Sequence, residues 1–246
     1  NGEIMKVDTG IITSNTNIGK DVYRMEIETD LAKDVRCGQF VEVEVPGYFL
    51  RRPISVCEVL DEKTLVLVYK VVGNGTKVMT SMNQEVSLFG PCGNGFPVLN
   101  EDVLLIGGGV GVPPLVETAK KYKKLGQKVT VVVGFNTKDD AILLDECKKY
   151  ADEVYVATMD GSLGTKGTVI DTINENHIKQ EYVLSCGPLP MLKAVNSKYT
   201  KGCISLEARM ACGLGACMGC VVKDTEGNSL RVCKDGPVFE IGKVVL

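Results

Sequence analysis

The rhythm of hydrophobic and polar positions changes twice along this chain of 246 residues. Up to about residue 98, short runs with alternating or β-branched apolar residues are separated by Gly, Pro, Asn or Asp, as is typical of strands joined by turns. The predicted strands are GIITSN, DVYRMEIET, QFVEVEVP, TLVLVYKVV and QEVSLFG. So many short strands in one hundred residues predict a small antiparallel β-barrel.

From about residue 101, strand-like apolar runs alternate with helix-like amphipathic segments. The strand-like runs are VLLIGG, VTVVVGF, EVYVAT and YVLSCG, and the helix-like segments are PLVETAKKYKKLG, AILLDECKKYA, GTVIDTINENH and LPMLKAVNSKY. This alternation predicts a doubly wound parallel sheet covered by helices, so the expected fold class is α/β plus all-β. The pattern ends at Gly202. We therefore expect three domains, residues 1–98, 99–202 and 203–246.

Composition narrows the possible classes of protein. A hydrophobic content of 44% supports well-filled cores, and a formal charge of -3 gives no nucleic-acid footprint. The start of the chain lacks a charged-then-apolar leader, and no apolar run reaches the roughly eighteen residues of a membrane span. Six cysteines show no pairing pattern: Cys37, Cys57, Cys92, Cys147, Cys186 and Cys203. We expect a cytoplasmic protein that binds neither nucleic acid nor membrane.

The segment ACGLGACMGC carries the most specific pattern. It places Cys212, Cys217 and Cys220 at C-x4-C-x2-C spacing, and Cys233 follows after a gap of twelve residues. Small residues between the cysteines let backbone N–H groups turn toward thiolate sulfur, which predicts a 2Fe-2S cluster. A four-cysteine zinc site is the alternative, although structural zinc usually takes two close pairs and only one is present.

A glycine cluster lies between an apolar run and an amphipathic segment in LLIGGGVGVPPLVETAKKY. Backbone N–H groups and the helix dipole can hold a pyrophosphate at such a junction. The run Gly109-x-Gly111-x-x-Pro114 lacks the third glycine of the Rossmann fingerprint, and proline can open the helix in its first turn. A glycine-rich turn without a ligand is the alternative.

Further along, YVLSCGPLPML places Cys186, Gly187 and Pro188 at the C-terminal end of a predicted buried strand. In an open α/β sheet, ligands bind at that edge. A buried cysteine can also simply fill a small apolar space, so the segment by itself leaves both interpretations open.

Two segments of the predicted barrel carry groups that suit a phosphorylated ligand. In FLRRPISV, Arg52 suits a phosphate and Ser55 suits a heteroaromatic nitrogen, although an exposed arginine pair at a barrel edge has the same pattern. In YKVVGNGTKVM, we predict a turn at Gly73, Gly75 and Thr76, whose N–H groups and hydroxyl could take a second phosphate. An ordinary hairpin turn is the alternative there.

Two other features are better explained as exposed positions than as functional sites. Four lysines, Lys120, Lys121, Lys123 and Lys124, lie in the last turns of a helix predicted to end at Gly126, where solvation and the helix dipole account for them. The single histidine, His177, lies in a polar stretch without a nucleophile or metal partner beside it.

Taken in order, RPIS, GNGT, GGGVGVPP, CGPLPM and the cysteine loop resemble the ferredoxin-reductase superfamily. LFGPCGNGFPV, SLEARMACGLGACMGC and VCKDGPVF are especially similar to the electron-transfer subunits of class 1B dihydroorotate dehydrogenases, and the similarity runs nearly end to end. The resemblance implies a barrel that binds FAD, an α/β domain that binds NAD, and a small C-terminal domain with a 2Fe-2S cluster.

The resemblance also implies which residues form each site. The FAD site would comprise Arg52, Pro53, Ile54, Ser55, Tyr69, Lys70, Val71, Gly75 and Thr76. The NAD site would comprise Gly109, Gly111, Cys186, Gly187 and Pro188, and the cluster ligands would be Cys212, Cys217, Cys220 and Cys233. Typical ferredoxin reductases carry an aromatic residue where Ile54 stands.

Finally, the resemblance implies a function in pyrimidine biosynthesis. A partner subunit with FMN would oxidise dihydroorotate to orotate, and this chain would pass the electrons through the cluster and FAD to NAD+. The expected assembly is a heterotetramer with two copies of each subunit, and this chain shows no dihydroorotate site of its own. The alternatives are a related reductase subunit that serves ferredoxin, sulfide or a hydrogenase, and a zinc-stabilised interaction module without redox chemistry.

Overall fold

The computed structural model describes residues 5–246. Its first six strands are β1 (Lys6–Gly19), β2 (Val22–Glu28), β3 (Phe40–Val43), β4 (Arg52–Asp61), β5 (Thr64–Lys70) and β6 (Glu85–Cys92). They close a barrel in the order β1-β2-β5-β4-β3-β6, with every neighbouring pair antiparallel. The predicted antiparallel barrel is therefore confirmed.

Two elements of the barrel differ from the expected pattern. β4 begins at the Arg-Pro pair, which carries no apolar alternation, and it is held as a strand by pairing with both β3 and β5. The expected turn at Gly73 is instead the start of a helix, α1 (Asn74–Met79). The Thr76 hydroxyl accepts the N–H groups of Val72 and Gly73, at 2.9 and 3.2 Å, and these bonds offset the low helix propensity of the glycines.

The second half of the chain forms a seven-stranded sheet. Its strands are β7 (Val103–Gly108), β8 (Val129–Phe135), β9 (Glu153–Thr158), β10 (Thr165–Lys166), β11 (Tyr182–Cys186) and β12 (Lys201–Ser205); after a two-stranded hairpin of β13 (Val221–Lys223) and β14 (Ser229–Arg231) comes β15 (Val238–Glu240). The order is β10-β9-β8-β7-β11-β12-β15. All pairs are parallel except β12 with β15.

Helices cover both faces of this sheet, as the alternation predicts. α2 (Pro113–Lys124) and α3 (Leu144–Tyr150) pack on one face, and α4 (Val169–Glu175) and α5 (Leu189–Lys198) pack on the other. Successive residues of β7 divide between the two cores, since Leu105 packs with α2 whereas Leu104 and Ile106 pack with α4 and α5. The core that contains α2 continues into the outer surface of the barrel.

Residues 206–246, here called the cysteine segment, contact both the barrel and the seven-stranded sheet. This segment leaves the sheet after β12, forms the loop and the β13–β14 hairpin, and returns as β15 at the edge of the sheet. Against the barrel, the backbone N–H of Asn94 donates to the Gly236 carbonyl at 2.6 Å, and its side chain donates to two further carbonyls. β12 runs across the position, after residue 202, at which the sequence pattern changes. Between residues 5 and 246, none of the helices is long and apolar enough to cross a membrane.

Candidate cofactor sites

The glycine turn and the end of β11 meet at the point where the strand order of the sheet reverses. From β7 the chain adds β8 on one side, and β11 lies on the other side of β7, so the carboxyl ends of β7 and β11 are neighbours. Gly109 and Gly111 form a 3₁₀ turn after β7, and Pro113 opens α2 directly behind it. Dinucleotides bind at such a switch point in open α/β sheets.

Gly111 is the tightest point of this arrangement. A Cβ on Gly111 would collide with the carbonyl group of Cys186 and approach the Cα of Gly187 to 2.6 Å, so only glycine lets the turn and the β11 end come together. Pro188 packs against Gly108 of the same turn. The five residues expected at the NAD site are thus gathered around one sheet edge. Burial raises the pKa of the Cys186 thiol to about 12, which keeps this thiol neutral.

Arg51, which precedes β4, and Arg52, which begins it, have different surroundings. Arg51 donates to the carbonyl and the hydroxyl of Ser87, each at 2.8 Å, and pairs with Glu44 at 2.7 Å, so its guanidinium is committed to the barrel wall. Arg52 instead lies over the ring of Tyr48, 4.8 Å from its centroid, and packs against Gly75. The half-buried Arg52 therefore brings a cation to the N-terminal turn of α1.

The other residues expected at the FAD site fall into two groups. Pro53, Ile54 and Ser55 follow Arg52 on β4 and are all half-buried, so a ligand beside this edge of the barrel could reach them. Tyr69 is 2% exposed, and its hydroxyl donates to Asn15 at 3.0 Å, which commits its side chain to the barrel. Burial raises the pKa of Tyr69 to about 12.

The remaining three candidates lie around the start of α1. Lys70 is exposed, and the backbone N–H of Val71 is used by the Asp21 carbonyl at 2.7 Å. Gly75 and Thr76 are buried in the first turn of α1. The Thr76 hydroxyl, which accepts two N–H groups and donates to the Gly73 carbonyl at 3.0 Å, is engaged within that turn. The role expected for this hydroxyl at a phosphate stays a prediction.

The four C-terminal cysteines lie in two pairs, each joined by a backbone contact. The N–H of Cys217 donates to the sulfur of Cys212, and the N–H of Cys233 donates to the sulfur of Cys220, both at 3.4 Å. A third N–H, that of Gly219, donates to Cys217 at 3.4 Å. These N–H groups are aimed at sulfur, as the small residues of the loop predict.

The thiols of this loop differ in pKa. Desolvation opposes ionisation of Cys212, but N–H groups of Cys217, Leu214 and Ala216 outweigh it and lower the pKa to about 6. Desolvation and the neighbouring Cys220 raise the pKa of Cys233 to about 12. A thiol so placed ionises when a cation compensates its charge.

The donor set fits a two-iron cluster. Cys212 is paired with Cys217, and Cys220 with Cys233, through N–H groups that donate to sulfur. Two thiolate pairs with N–H groups directed at sulfur match the four-thiolate requirement of a 2Fe-2S cluster. Cys217 is exposed and Cys212 half-buried, whereas Cys220 and Cys233 are buried against the sheet core.

One buried carboxyl group beside the loop is absent from the sequence prediction. Glu42 of β3 is 1% exposed and touches Gly213, where a Cβ would lie 2.7 Å from its Oε1. Neither of its carboxyl oxygens accepts a hydrogen bond from the described part of the chain. Desolvation, and then the charge of Cys212, raise the pKa of Glu42 to about 7. The alternating pattern of QFVEVEVP predicts an exposed position, so the sequence carries no signal for this site.

The two features expected at the surface have different outcomes. His177 is exposed, as predicted, at the turn after α4. The lysine run does end a helix before Gly126, but Lys120 is only 12% exposed and contacts Glu58 of the barrel. Solvation and the helix dipole therefore do not explain Lys120. The six cysteines outside the loop are free and buried.

A six-stranded barrel followed by a doubly wound sheet with a glycine turn at its switch point defines a ferredoxin-reductase-like protein, here with an iron–sulfur segment. A family model described as the iron–sulfur cluster binding domain of dihydroorotate dehydrogenase B matches residues 207–245. A model of the oxidoreductase NAD-binding domain matches residues 105–197. The chain belongs to the family of dihydroorotate dehydrogenase B electron transfer subunits.

Near full-length relatives show this membership. The dihydroorotate dehydrogenase B (NAD(+)) electron transfer subunit of Fusobacterium nucleatum is 44% identical over 96% of this chain and 97% of the relative. The subunit of the same name from Streptococcus thermophilus is 42% identical, with the same coverage. Among solved structures, an NADH-dependent reduced ferredoxin-NADP oxidoreductase aligns with a TM-score of 0.87 and 31% identity, covering 96% of this chain and 89% of that chain.

A more distant structure shows the fold alone. A cytochrome P450 reductase from Amycolatopsis aligns with a TM-score of 0.67 at 21% identity, covering 78% of this chain and 65% of that chain. The shared architecture of these reductases confirms the expected ferredoxin-reductase-like fold.

Proposed function

We propose that this chain is the electron-transfer subunit of an NAD-linked dihydroorotate dehydrogenase complex. It receives electrons from an FMN-containing catalytic subunit that oxidises dihydroorotate to orotate, and it delivers them to NAD+ by way of a 2Fe-2S cluster and FAD. Nicotinamide exchanges two electrons as a hydride, the cluster exchanges one at a time, and FAD supplies both kinds of chemistry.

One observation carries this proposal most directly. The barrel, which would hold FAD, contacts both the glycine turn of the sheet and the cysteine segment. β5 meets the turn Gly109–Gly111, whereas β3 and the stretch after β6 meet the segment around Gly213 and Gly236. The barrel thus contacts the proposed NAD site on one side and the proposed cluster loop on the other, as FAD would have to do in order to pass electrons from the cluster to NAD+.

Specific roles follow for the barrel residues. The Arg52 guanidinium donates from Nη1 to the Leu50 carbonyl at 2.5 Å, and its Nε and Nη2 lie against Gly75. Arg52 would bind the FAD diphosphate together with Gly75 and the first turn of α1. Ser55 would hydrogen-bond the flavin edge, with Pro53 and Ile54 beside it. Lys70 and Val71, together with Thr76, would border the cofactor. Because the Tyr69 hydroxyl is engaged by Asn15, Tyr69 would contribute through its backbone and its ring.

Roles also follow for the other two sites. Gly109 and Gly111 would let the NAD diphosphate approach the backbone, and Cys186, Gly187 and Pro188 would lie beside the nicotinamide. The thiolates of Cys212, Cys217, Cys220 and Cys233 would ligate the cluster. We propose the divisions 1–98, 99–202 and 203–246 for the three functional units, with β12 and β15 joining the last two.

The expected assembly is a heterotetramer of two such chains and two catalytic subunits. Ten free cysteines suit a reducing compartment, so the cytoplasm is the proposed location. The chain would bind neither a membrane nor a nucleic acid.

Reconstitution tests the function. The purified chain, loaded with FAD and cluster, is mixed with the FMN-containing catalytic subunit, and NADH formation from dihydroorotate and NAD+ is followed. We expect activity only with both subunits, and loss of NADH formation when Cys220→Ser replaces the wild-type chain. Mixing without NADH formation would reject the dihydroorotate assignment.

A second candidate is a related reductase subunit serving a ferredoxin, a sulfide or a hydrogenase system. It is favoured by the 31% identical oxidoreductase structure with a TM-score of 0.87. Reduction of ferredoxin by NADH through this chain, without any dihydroorotate oxidation, would support that candidate. The absorption spectrum of the purified chain addresses the zinc-stabilised module: a colourless, zinc-containing protein would reject both redox functions.

A further inference from the structure

Two elements that begin at different cofactor motifs meet each other a short distance further on. β4 starts with the FAD motif Arg52–Ser55, and Glu58 lies three residues beyond it, about 10 Å along an extended strand. α2 starts behind the glycine turn, and Glu117 lies four residues after Pro113, about 6 Å along the helix axis. At these positions β4 and α2 contact each other.

The contact is built from buried charges. The Lys120 ammonium of α2 lies 3.4 Å from Oε1 of Glu58 and 3.4 Å from Oε2 of Glu117, and it also donates to the Val59 carbonyl. The exposed fractions of the three charged side chains are 12%, 6% and 1% for Lys120, Glu58 and Glu117. The barrel and the nucleotide domain therefore share one desolvated group of charges.

Additional hydrogen bonds fix the geometry of this group. The backbone N–H of Val59 donates to Oε2 of Glu117 at 2.9 Å, and the Tyr150 hydroxyl of α3 donates to Oε1 of Glu58 at 2.5 Å. The other oxygen of Glu117 accepts no hydrogen bond from residues 5–246 but is faced by the Lys121 ammonium at 3.3 Å. Two carboxylates thus meet two ammonium groups.

Such a group of buried charges fixes the orientation of α2 on β4 more than it stabilises their contact. Desolvation cancels much of the attraction in a buried ion pair, so apolar residues of similar size would hold the two domains at least as firmly. Apolar contacts are not directional, however, and would let α2 slide or turn on β4. The bond from the Val59 amide to Glu117 permits only one register of helix against strand.

We propose that Glu58, Glu117, Lys120 and Tyr150 form an interdomain clamp that sets the distance between the FAD motif of β4 and the glycine turn of α2. The clamp thereby positions the nicotinamide against the flavin for hydride transfer. These are positioning residues, since they act through β4 and α2. The inference rests on the proposed function, in which FADH− and NAD+ give FAD and NADH: an N–H bond on the flavin breaks, and its hydrogen and electron pair form a C–H bond on the nicotinamide. Flavin reduction by NADH is the reverse of this step and passes through the same geometry.

The first test measures hydride transfer in the holoprotein, without the partner subunit. Flavin reduction at saturating NADH is followed by anaerobic stopped flow in Lys120→Met, Glu58→Gln and Tyr150→Phe. We expect the rate to fall about tenfold or more, because small displacements of reacting atoms have effects of this order. The dissociation constant for NADH and the FAD content should stay within about twofold of wild type, since neither cofactor motif is altered.

The control is Lys123→Met on the same helix. Lys123 pairs with Asp152 at the surface, and its side chain is 46% exposed, so this variant also loses a lysine ion pair but leaves the clamp intact. Its flavin reduction rate should equal that of wild type. If Lys120→Met does not fold, Tyr150→Phe decides the matter, because it removes a single hydroxyl group.

The second test observes the clamp without any activity. Hydrogen exchange of the Val59 amide, which donates to Glu117, should become faster in the clamp variants, while the Val56 amide, which donates to Gln39, should keep its wild-type rate. Wild-type flavin reduction in the clamp variants, or unchanged Val59 exchange, would overturn the clamp. A wild-type protein that NADH cannot reduce would instead reject the proposed function, and Val59 exchange would still judge the clamp.

Discussion

The barrel meets its two neighbours with different chemistry. At the border with the nucleotide domain, buried side-chain charges from β4 and α2 are paired, with Lys120 between Glu58 and Glu117. At the border with the cysteine segment, the segment contributes backbone groups: three of its carbonyls accept the backbone and side-chain N–H groups of Asn94. The one buried carboxyl group there, Glu42, accepts no hydrogen bond from any described residue.

The difference suggests what each border requires. Paired charges fix direction, which suits two cofactor sites that must face each other for hydride transfer. Backbone contacts and close approach fix distance, which suits a cluster loop pressed against the barrel. We therefore expect substitutions of charged side chains to have the larger effect between the barrel and the nucleotide domain. Between the barrel and the cysteine segment, we expect substitutions of glycines to have the larger effect.

The largest effect is expected from Cys220→Ser. Loss of this proposed ligand should remove the cluster and its iron, while FAD should stay bound at full stoichiometry because the proposed flavin site lies on β4 and α1. Iron analysis and the flavin spectrum measure both. Cys203→Ser, at a buried cysteine of β12 outside the ligand set, should keep its iron. Loss of FAD from Cys220→Ser would mean that the barrel depends on the cluster through its contact with the cysteine segment.

The next effect concerns pH and the unpaired carboxyl group. The pKa of Glu42 rises from 4.5 to about 7 on folding. Between these two pH values, the unfolded chain releases a proton that the folded chain keeps. Stability should fall as the pH rises from about 4.5 to 7 and then level off. The shift corresponds to about 3 kcal/mol, or several degrees in melting temperature.

The variant Glu42→Gln should remove this part of the pH dependence, which melting temperatures of the holoprotein at pH 5 and 8 can measure. The matched control is Glu44→Gln on the same stretch of chain, since Glu44 is half exposed and pairs with Arg51. It should retain the wild-type pH dependence. Equal slopes in all three proteins would show that this border carries no buried carboxyl group of raised pKa.

The smallest effect compares two glycines of the same backbone conformation. Gly93 has a φ of +73°, and a Cβ there would lie 2.5 Å from Pro237 of the cysteine segment, whereas Gly47 has a φ of +81° with nothing within 4 Å. Both Ala variants carry the left-handed strain, but only Gly93→Ala also overpacks the border. Gly93→Ala should therefore be less stable than Gly47→Ala by about 2 kcal/mol, as measured by thermal unfolding. Equal losses would mean that the border yields to a methyl group.

Much of the architecture follows from local pattern. Alternation over β1 to β3, and strand followed by helix from β7 to α5, predict the barrel and the doubly wound sheet, since burial of one face imposes these periods on the sequence. The cysteine spacing predicts the cluster loop because its first three proposed ligands come from one short stretch. The list of predicted strands lacks β4, and a turn is predicted where α1 begins. Pairing with neighbouring strands stabilises β4, and bonds to the Thr76 hydroxyl stabilise α1, although the propensities of both segments are weak.

The order of the elements, the C-x4-C-x2-C spacing of the proposed cluster loop and the glycine turn are therefore readable from the sequence, because each depends on residues close together in the chain. Which polar side chains are buried depends instead on tertiary packing. Glu42 and Lys120 occupy positions that the strand and helix periods assign to solvent, and each is covered by a part of the protein distant in sequence. Local periodicity identifies the face of a strand or helix that packs on its own core. It does not indicate whether another part of the chain packs on the opposite face.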